Sequence, residues 1–221
     1  ESQGMICSEK ELNISNKHDG IMILKDTCKI GSPLENILNK NKDIVFELDL
    51  TPNRGDCFSH LGVAREIAII ENKNIKLKKN RILTSPESID KKITIEIEDT
   101  ISCPRYCARM IQGVKVKESP DWLKQRLESI GQKSINNIID AANYVLFDQG
   151  HPMHTFDYAK ISKSKIVVKK SKGKEAIVCL DGVSREVTKD HLLICDGDKP
   201  IAIAGIIGAN NSSVDEQTTD I

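Results

Sequence analysis

The chain has 221 residues, 39% of them hydrophobic and 29% charged, with 32 basic side chains set against 32 acidic ones. That length suits one or two domains with a sizeable core, and no apolar run comes near the ~18 residues of a membrane-spanning helix. The balanced charge excludes a broadly basic nucleic-acid binder, so any such role must rest on a local patch.

Lysine clusters at Lys76, Lys78, Lys79 and Arg81, and at Lys169, Lys170, Lys172 and Lys174, are candidates for that patch and equally suit solvated faces. No signal peptide opens the chain and Glu1 is not an initiator methionine, so a piece of a longer protein is expected. The seven cysteines lack paired spacing, which fits a reducing, cytoplasmic setting. Cys7, Cys28, Cys179 and Cys195 stand in apolar stretches as small hydrophobes. Cys103 and Cys107 have no nearby partner pair to complete a tetrahedral metal site.

Residues 1–40 hold short apolar runs such as Gly20 to Leu24 between polar turns, the pattern of a β-rich module. After Asp49 to Arg54, apolar residues at Leu61, Ala64, Ile67 and Ala68 recur at helical spacing. Lys73 to Pro86 is polar and ends in Ser-Pro, a linker pattern. Ile93, Ile95 and Ile97 alternate with polar residues as in a half-buried strand, and Arg105 to Val116 reads as a further extended run.

Ser119-Pro120 then predicts a helix start, with the serine as cap and the proline in the first turn. Leu123, Leu127 and Ile130 form its inner stripe and Gly131 its stop. A second helix is predicted after Ser134, with Ile135, Ile138, Ile139, Ala142 and Leu146 on one face. Asn136, Asp140 and Asn143 lie on another, and Gly150 closes the helix. Strand-like runs follow at Ile166–Lys169, Ala176–Leu180, Leu192–Cys195 and Ile201–Ile207, with Asp181-Gly182 as a hairpin signal. Strands flanking a central helical pair predict an α+β fold.

The densest chemistry lies in Ala141 to Asp157. His151 and His154 are three apart, but zinc needs a third ligand, and no glutamate stands in the motif. No Gly-x-Ser-x-Gly element and no phosphate-cradling glycine loop is present. Gly205 and Gly208 break an apolar run, as glycines do at a bulge or where a ligand or another backbone comes close. Asn143, about two helical turns before the Gly150 stop that precedes His154, offers a donor and an acceptor. The residues alone give an α+β domain with one polar cluster, open between a structural and a functional purpose.

Six stretches occur in one order: Glu1 to Leu12, Glu47 to Arg54, Ser59 to Glu66, Asn143-Tyr-Val145, Gly150-His-Pro-Met-His154 and Leu180-Asp-Gly182. Together they closely resemble the β subunits of bacterial phenylalanine–tRNA ligase, almost end to end. The resemblance implies the tail of a tRNA-binding OB-type domain over 1–40, a small helical B1-like domain over 41–85, and over 86–221 the first part of a B3/B4 editing domain, C-terminally incomplete, of mixed α/β structure with mainly antiparallel strands.

It further implies hydrolysis of mischarged tyrosyl-tRNA(Phe), a partner α subunit in an α2β2 heterotetramer, tRNA(Phe) as ligand, and ATP and magnesium for the full enzyme, with no cofactor in this segment. The family's editing pocket maps onto Ala142, Asn143, His154, Ala204 and Gly205, with His154 and Asn143 orienting the substrate or its attacking water. Three positions depart from the family pattern: Ala142 stands for a threonine, His151 for a glutamine, and Ala209 for the second of two glycines. The family's glutamate for the tyrosine hydroxyl is expected shortly after Ile221.

Overall fold

The computed structural model describes residues 4–12, 14, 15, 17–38, 44–77, 82–197 and 199–221. Lys78, Lys79 and Arg81, three members of the first lysine cluster, lie outside them. The chain forms two compact units, Glu1–Phe46 and Glu47–Ile221.

The first unit corrects the expectation of β structure. Its described residues hold turns and one short helix, α1 (Leu34–Ile37), and no strand. In the apolar run from Gly20 to Leu24, the Met22 N–H donates to the Cys7 carbonyl at 2.9 Å. Ser8 and Glu11 close a local turn, the glutamate accepting from both the Ser8 amide and its hydroxyl at 2.8 Å.

The second unit is α+β, as the patterning requires. Helix α2 (His60–Ile70) starts at Ser59, whose hydroxyl accepts from the Gly62 amide. Ile67, placed on its inner stripe by spacing, is 53% exposed instead. Inner positions Leu61, Ala64 and Ala68 are only half-buried. Helix α3 (Asp121–Ser129) buries Leu123 and Leu127 and ends before Gly131, whose φ of 80° needs no side chain. Helix α4 (Asn137–Gln149) packs against α2 and α3. The Asn136 side chain accepts from the Ile138 and Ile139 amides at its start, and Gly150 ends it in the left-handed conformation.

Ser119 does not cap α3. Its hydroxyl turns away to the carboxylate of Asp140 at 2.5 Å, and Pro120 occupies the capping position without a side-chain bond. A proline lends its fixed φ to the helix start but offers no acceptor, so the α3 amides begin uncapped while the serine serves α4.

Strands β1 (Thr94–Ile97), β2 (Lys165–Lys170), β5 (Leu192–Asp196), β6 (Lys199–Ile203) and β7 (Ile207–Gly208) form one sheet in the order β1-β2-β5-β6-β7. Only β1 and β2 are parallel; the other pairings are antiparallel. Strands β3 (Glu175–Val178) and β4 (Ser184–Val187) pair as a separate hairpin turned at Asp181-Gly182. A bridge between Cys179 and Ala209 fastens that hairpin to the end of β7. The core between them is Val167, Ile177, Cys179, Val187, Leu193, Cys195, Ile203 and Ala209. The cysteines there form no disulfide among the described residues, and Cys179 and Cys195 are fully buried.

Two extended runs resolve differently from their patterns. Ile201–Ile207 splits into β6 and β7 around Ala204-Gly205-Ile206, with the Ile206 amide on the Ile203 carbonyl and Gly205 at φ 71°. Arg105–Val116 joins no sheet; it is strung between Asn137, which bonds the Lys115 carbonyl and the Lys117 amide, and the segment from Thr219 to Ile221. Within it Tyr106 is enclosed enough that burial pushes its hydroxyl up to about 12.

Candidate functional site

The Ala141–Asp157 stretch divides between two environments. Immediately before its helical part, on the same helix, Asp140 is completely buried. That carboxylate accepts from the Ser119 and Ser134 hydroxyls, both at 2.5 Å, and from the Ile135 amide at 2.9 Å. Burial alone would raise its pKa, but these donors outweigh it and hold the group below its ordinary value. Ala142 and Asn143 follow on the same helix, both half-buried. Neither makes a side-chain hydrogen bond among the described residues.

The loop after Gly150 carries His154 to the sheet. Its imidazole lies edge-to-face against Phe156, with ring centres 4.6 Å apart. The ring also occupies the place of a missing side chain: a Cβ on Gly208 would sit 2.3 Å from the His154 Cε1 and 2.4 Å from its Nε2. Leu180 Cδ1 lies 3.1 Å from the same point, so the leucine is the imidazole's neighbour across the glycine. Leu180 is held there because its amide donates to the Gly208 carbonyl at 3.0 Å. His154 remains exposed by surface area, yet the packed side of its ring suffices for desolvation to lower its pKa. A neutral imidazole at pH 7 results, with no hydrogen bond to either ring nitrogen among the described residues.

Of the residues singled out from sequence, then, His154 is brought to β7 while Ala142 and Asn143 stay in the helical layer. No hydrogen bond or ring contact joins Asn143 to His154 among the described residues. Ala204 and Gly205 form the β6–β7 turn, where the Ala204 amide bonds the Leu192 carbonyl. Nothing lies within 4 Å of where a Gly205 Cβ would be, so that glycine serves the turn. The close approach belongs to Gly208. Leu180 was missed as part of this cluster because its partner is 28 positions away and only the hairpin bridge joins them.

His151 is exposed and shares no polar contact with His154 among the described residues. The tightest group of metal-type ligands among the described residues is Asp56, Cys57 and Glu66. It encloses the Arg54 guanidinium, which bonds Asp56 at 2.8 and 3.0 Å, Glu66 at 2.7 Å and the Cys57 sulfur at 3.0 Å. Hydrogen bonds from Arg54 hold the Asp56 carboxyl down at about 2 and raise the arginine further. A cation already neutralises the acids, so the residues do not fit magnesium or any other metal ion.

A family model described as the B3/4 domain matches residues 102–221, more than half of the chain. The chain belongs to the B3/4 domain family. Curated relatives extend the likeness over all 221 residues: proteins named phenylalanine–tRNA ligase beta subunit from Syntrophotalea carbinolica (47% identical), Geobacter sulfurreducens (46%) and Fusobacterium nucleatum (44%). The chain spans 27–28% of the length of these relatives. All of the His154 cluster, with Gly208 and Leu180, falls inside the B3/4 match. No helix among the described residues is long and apolar enough to cross a membrane.

Beside the cluster, the B3/4 domain has a cavity of about 440 Å³ lined by Ala176, Ile177, Val178, Lys199, Pro200, Asn210 and Asn211. None of the residues expected from sequence lines it.

Proposed function

We propose that the chain is part of a phenylalanine–tRNA ligase β subunit and that its B3/4 domain hydrolyses tyrosyl-tRNA(Phe). The observation that carries this reading is the 47% identity over the whole chain to a protein of that name. In this reading 1–40 ends a tRNA-binding OB-type domain, 41–85 is B1-like and 86–221 is the editing domain. Its partners are an α subunit, in an α2β2 assembly in the cytoplasm, and tRNA(Phe). ATP and magnesium serve the aminoacylation chemistry of the full enzyme, and no step here passes through them.

The chemistry has a physical motive. Tyrosine exceeds phenylalanine by one hydroxyl, which an apolar pocket rejects by only about a hundredfold. Water attacks the ester carbonyl, the new C–O bond forms, and the bond to the ribose oxygen breaks as that oxygen takes up a proton. His154 supports the step because its imidazole is neutral at pH 7 and its nitrogens are uncommitted, so it accepts a hydrogen bond from the water. Asn143 orients the aminoacyl group from α4, with Ala142 beside it; Ala204 and Gly205 complete the pocket at the β6–β7 turn.

The test is deacylation of tyrosyl-tRNA(Phe) by the full α/β enzyme. Native turnover should fall about a hundredfold in His154→Ala, within the range of a lost proton acceptor, with phenylalanine charging unchanged. Equal turnover in both enzymes would sink the role of His154. A second reading, a tRNA-positioning scaffold without hydrolysis, is favoured by Ala142, which lacks a hydroxyl. Absent native hydrolysis with intact charging would establish it.

A further inference from the structure

The His154 ring makes no hydrogen bond among the described residues, so what aims it must act through the loop that carries it. Residues 151–156 make no backbone hydrogen bond among the described residues either. The first tether after the imidazole is Asp157, whose N–H donates to the Ser212 carbonyl at 3.0 Å. Ser212 is fully buried, and its own hydroxyl donates to the Ile201 carbonyl of β6 at 3.4 Å. His154 and Asp157 are three positions apart, and their seats at Gly208 and Ser212 are four apart. The loop is therefore pinned twice to one stretch of chain, once by shape and once by hydrogen bonds.

The Asp157 side chain adds a second lock. Its buried carboxylate accepts from the Ala159 amide at 3.0 Å and from the Thr218 hydroxyl at 2.9 Å. Thr218 is also buried, lies 61 positions on, and accepts in turn from the Asp215 amide at 3.0 Å. The Lys160 ammonium stands 3.6 Å from the Asp157 carboxylate. It donates to the Ser213 carbonyl and the Asp215 carboxylate, both at 2.6 Å.

A buried charge adds little net stability over a well-packed apolar group, because desolvation offsets the attraction it gains. What this network supplies is a single geometry, since several partner directions are satisfied at once. The route to the imidazole is short. Phe156 directly precedes Asp157 and stands edge-to-face with the His154 ring. Freeing Asp157 frees the wall against which the ring rests.

We propose that Asp157, with Thr218 as its hydroxyl partner, is a positioning residue that aims His154 for ester hydrolysis. The consequence for turnover rests on the hydrolase reading; the placement of the ring stands apart from whether hydrolysis occurs. A displacement of about 1 Å at a reacting group costs up to about a hundredfold in rate.

The full α/β enzyme tests it by deacylation of tyrosyl-tRNA(Phe), together with ring-proton NMR of the 221-residue chain carrying the same changes. Thr218→Val removes the hydroxyl at nearly constant volume. It should lower kcat about tenfold and leave KM within about twofold, the pattern of lost transition-state alignment. Asp157→Ala should lower kcat further, and Thr218→Ser, which keeps the donor, should restore native turnover. Below the unfolding temperature, Thr218→Val and Asp157→Ala should both lose the contacts of the His154 ring protons with the Gly208 α-protons and the Leu180 methyls. If Asp157→Ala does not fold, Thr218→Val decides alone. A lowered unfolding temperature with kcat and ring contacts unchanged would overturn the proposal and leave a purely structural lock. Retained ring contacts would overturn it even if turnover fell. A native enzyme without hydrolysis would sink the hydrolase reading, and the ring contacts would still decide the positioning.

Discussion

Asp140, just ahead of the Ala141–Asp157 stretch, and His154 within it stand 14 positions apart, and the fold treats them in opposite ways. Asp140 is completely buried, with two hydroxyls and a backbone amide directed at its carboxylate. His154 sits on the sheet with both ring nitrogens open, held by shape: the gap left by Gly208, the Leu180 side chain and the edge of Phe156. A polar group secured by hydrogen bonds has its bonding capacity spent on architecture. One secured by packing keeps that capacity for a ligand. The contrast divides the motif into a structural half and a reactive half.

The strongest way to break this contrast is to remove the carboxylate. Asp140→Ala would leave the Ser119 and Ser134 hydroxyls and the Ile135 amide without their acceptor in a buried site, at about 1–3 kcal/mol each before relaxation. A net loss of about 3 kcal/mol is expected, read as a lower urea midpoint at unchanged slope. A loss below about 1 kcal/mol would mean that the cluster is not what joins Ser119 to α4. The pH dependence has a definite sign. Asp140 has a folded-state pKa below its unfolded value near ~3.9, so its contribution is fully present above that value and is lost as pH falls through the folded one. Asp140→Asn should be flat over that acid window.

The matching change on the other side is Gly208→Ala. Its new Cβ would overlap the His154 ring, so either the ring leaves or β7 shifts. Overpacking of this kind costs about 1–3 kcal/mol, and the lower end is expected because the ring hangs on a loop and can swing out. Deacylation should fall as in His154→Ala if the histidine acts from this seat. Full activity with a displaced ring would show that shape does not position it.

How much of this was open to a reader of the sequence follows from the range of the interactions. The end of helix α4 was legible because Gly150 acts on its own neighbours, whereas its start was set two residues early: Asn136, read as part of a helix face, is the cap. The antiparallel strands were legible from apolar runs and the Asp181-Gly182 turn. Ser119 misled because a serine before a proline is a cap by local rules, whereas its actual acceptor lies 21 positions on. The Ile201–Ile207 run hid a turn, since Gly205 can be strand or turn until its φ is fixed. Ile67 fits the helical period of α2 and is still exposed, because periodicity says which face is apolar and not what covers it. In the functional cluster His154 was visible and Gly208 suspect, but their meeting depends on the pairing of β3's end with β7, for which no local pattern exists.

A smaller effect sharpens the structural half. Asn136→Ala removes the acceptor for the Ile138 and Ile139 amides at the start of α4 without touching the Asp140 carboxylate. Loss of such a cap costs about 1 kcal/mol. Thermal unfolding should register it, and hydrogen exchange should speed up in the first turn of α4 alone. If exchange also rises at Ser134 and Ile135, cap and carboxylate are one cooperative unit.

The smallest effect is the titration of His154 itself, and it bears most directly on the reactive half. Packing against Phe156 and over Gly208 desolvates part of the ring, which disfavours the charged form, so the imidazole should titrate below its ordinary ~6.5. The sign then runs against acid: as pH falls through the unfolded value towards the folded one, the unfolded state takes up the proton first and the native state loses a little stability. Ring-proton NMR gives the midpoint directly. In Gly208→Ala the displaced ring should regain water and move back towards the ordinary value, while Asp140→Asn should leave it where it is. Coupled shifts in both variants would mean that the two halves of the motif communicate, and the division drawn between them would have to be given up.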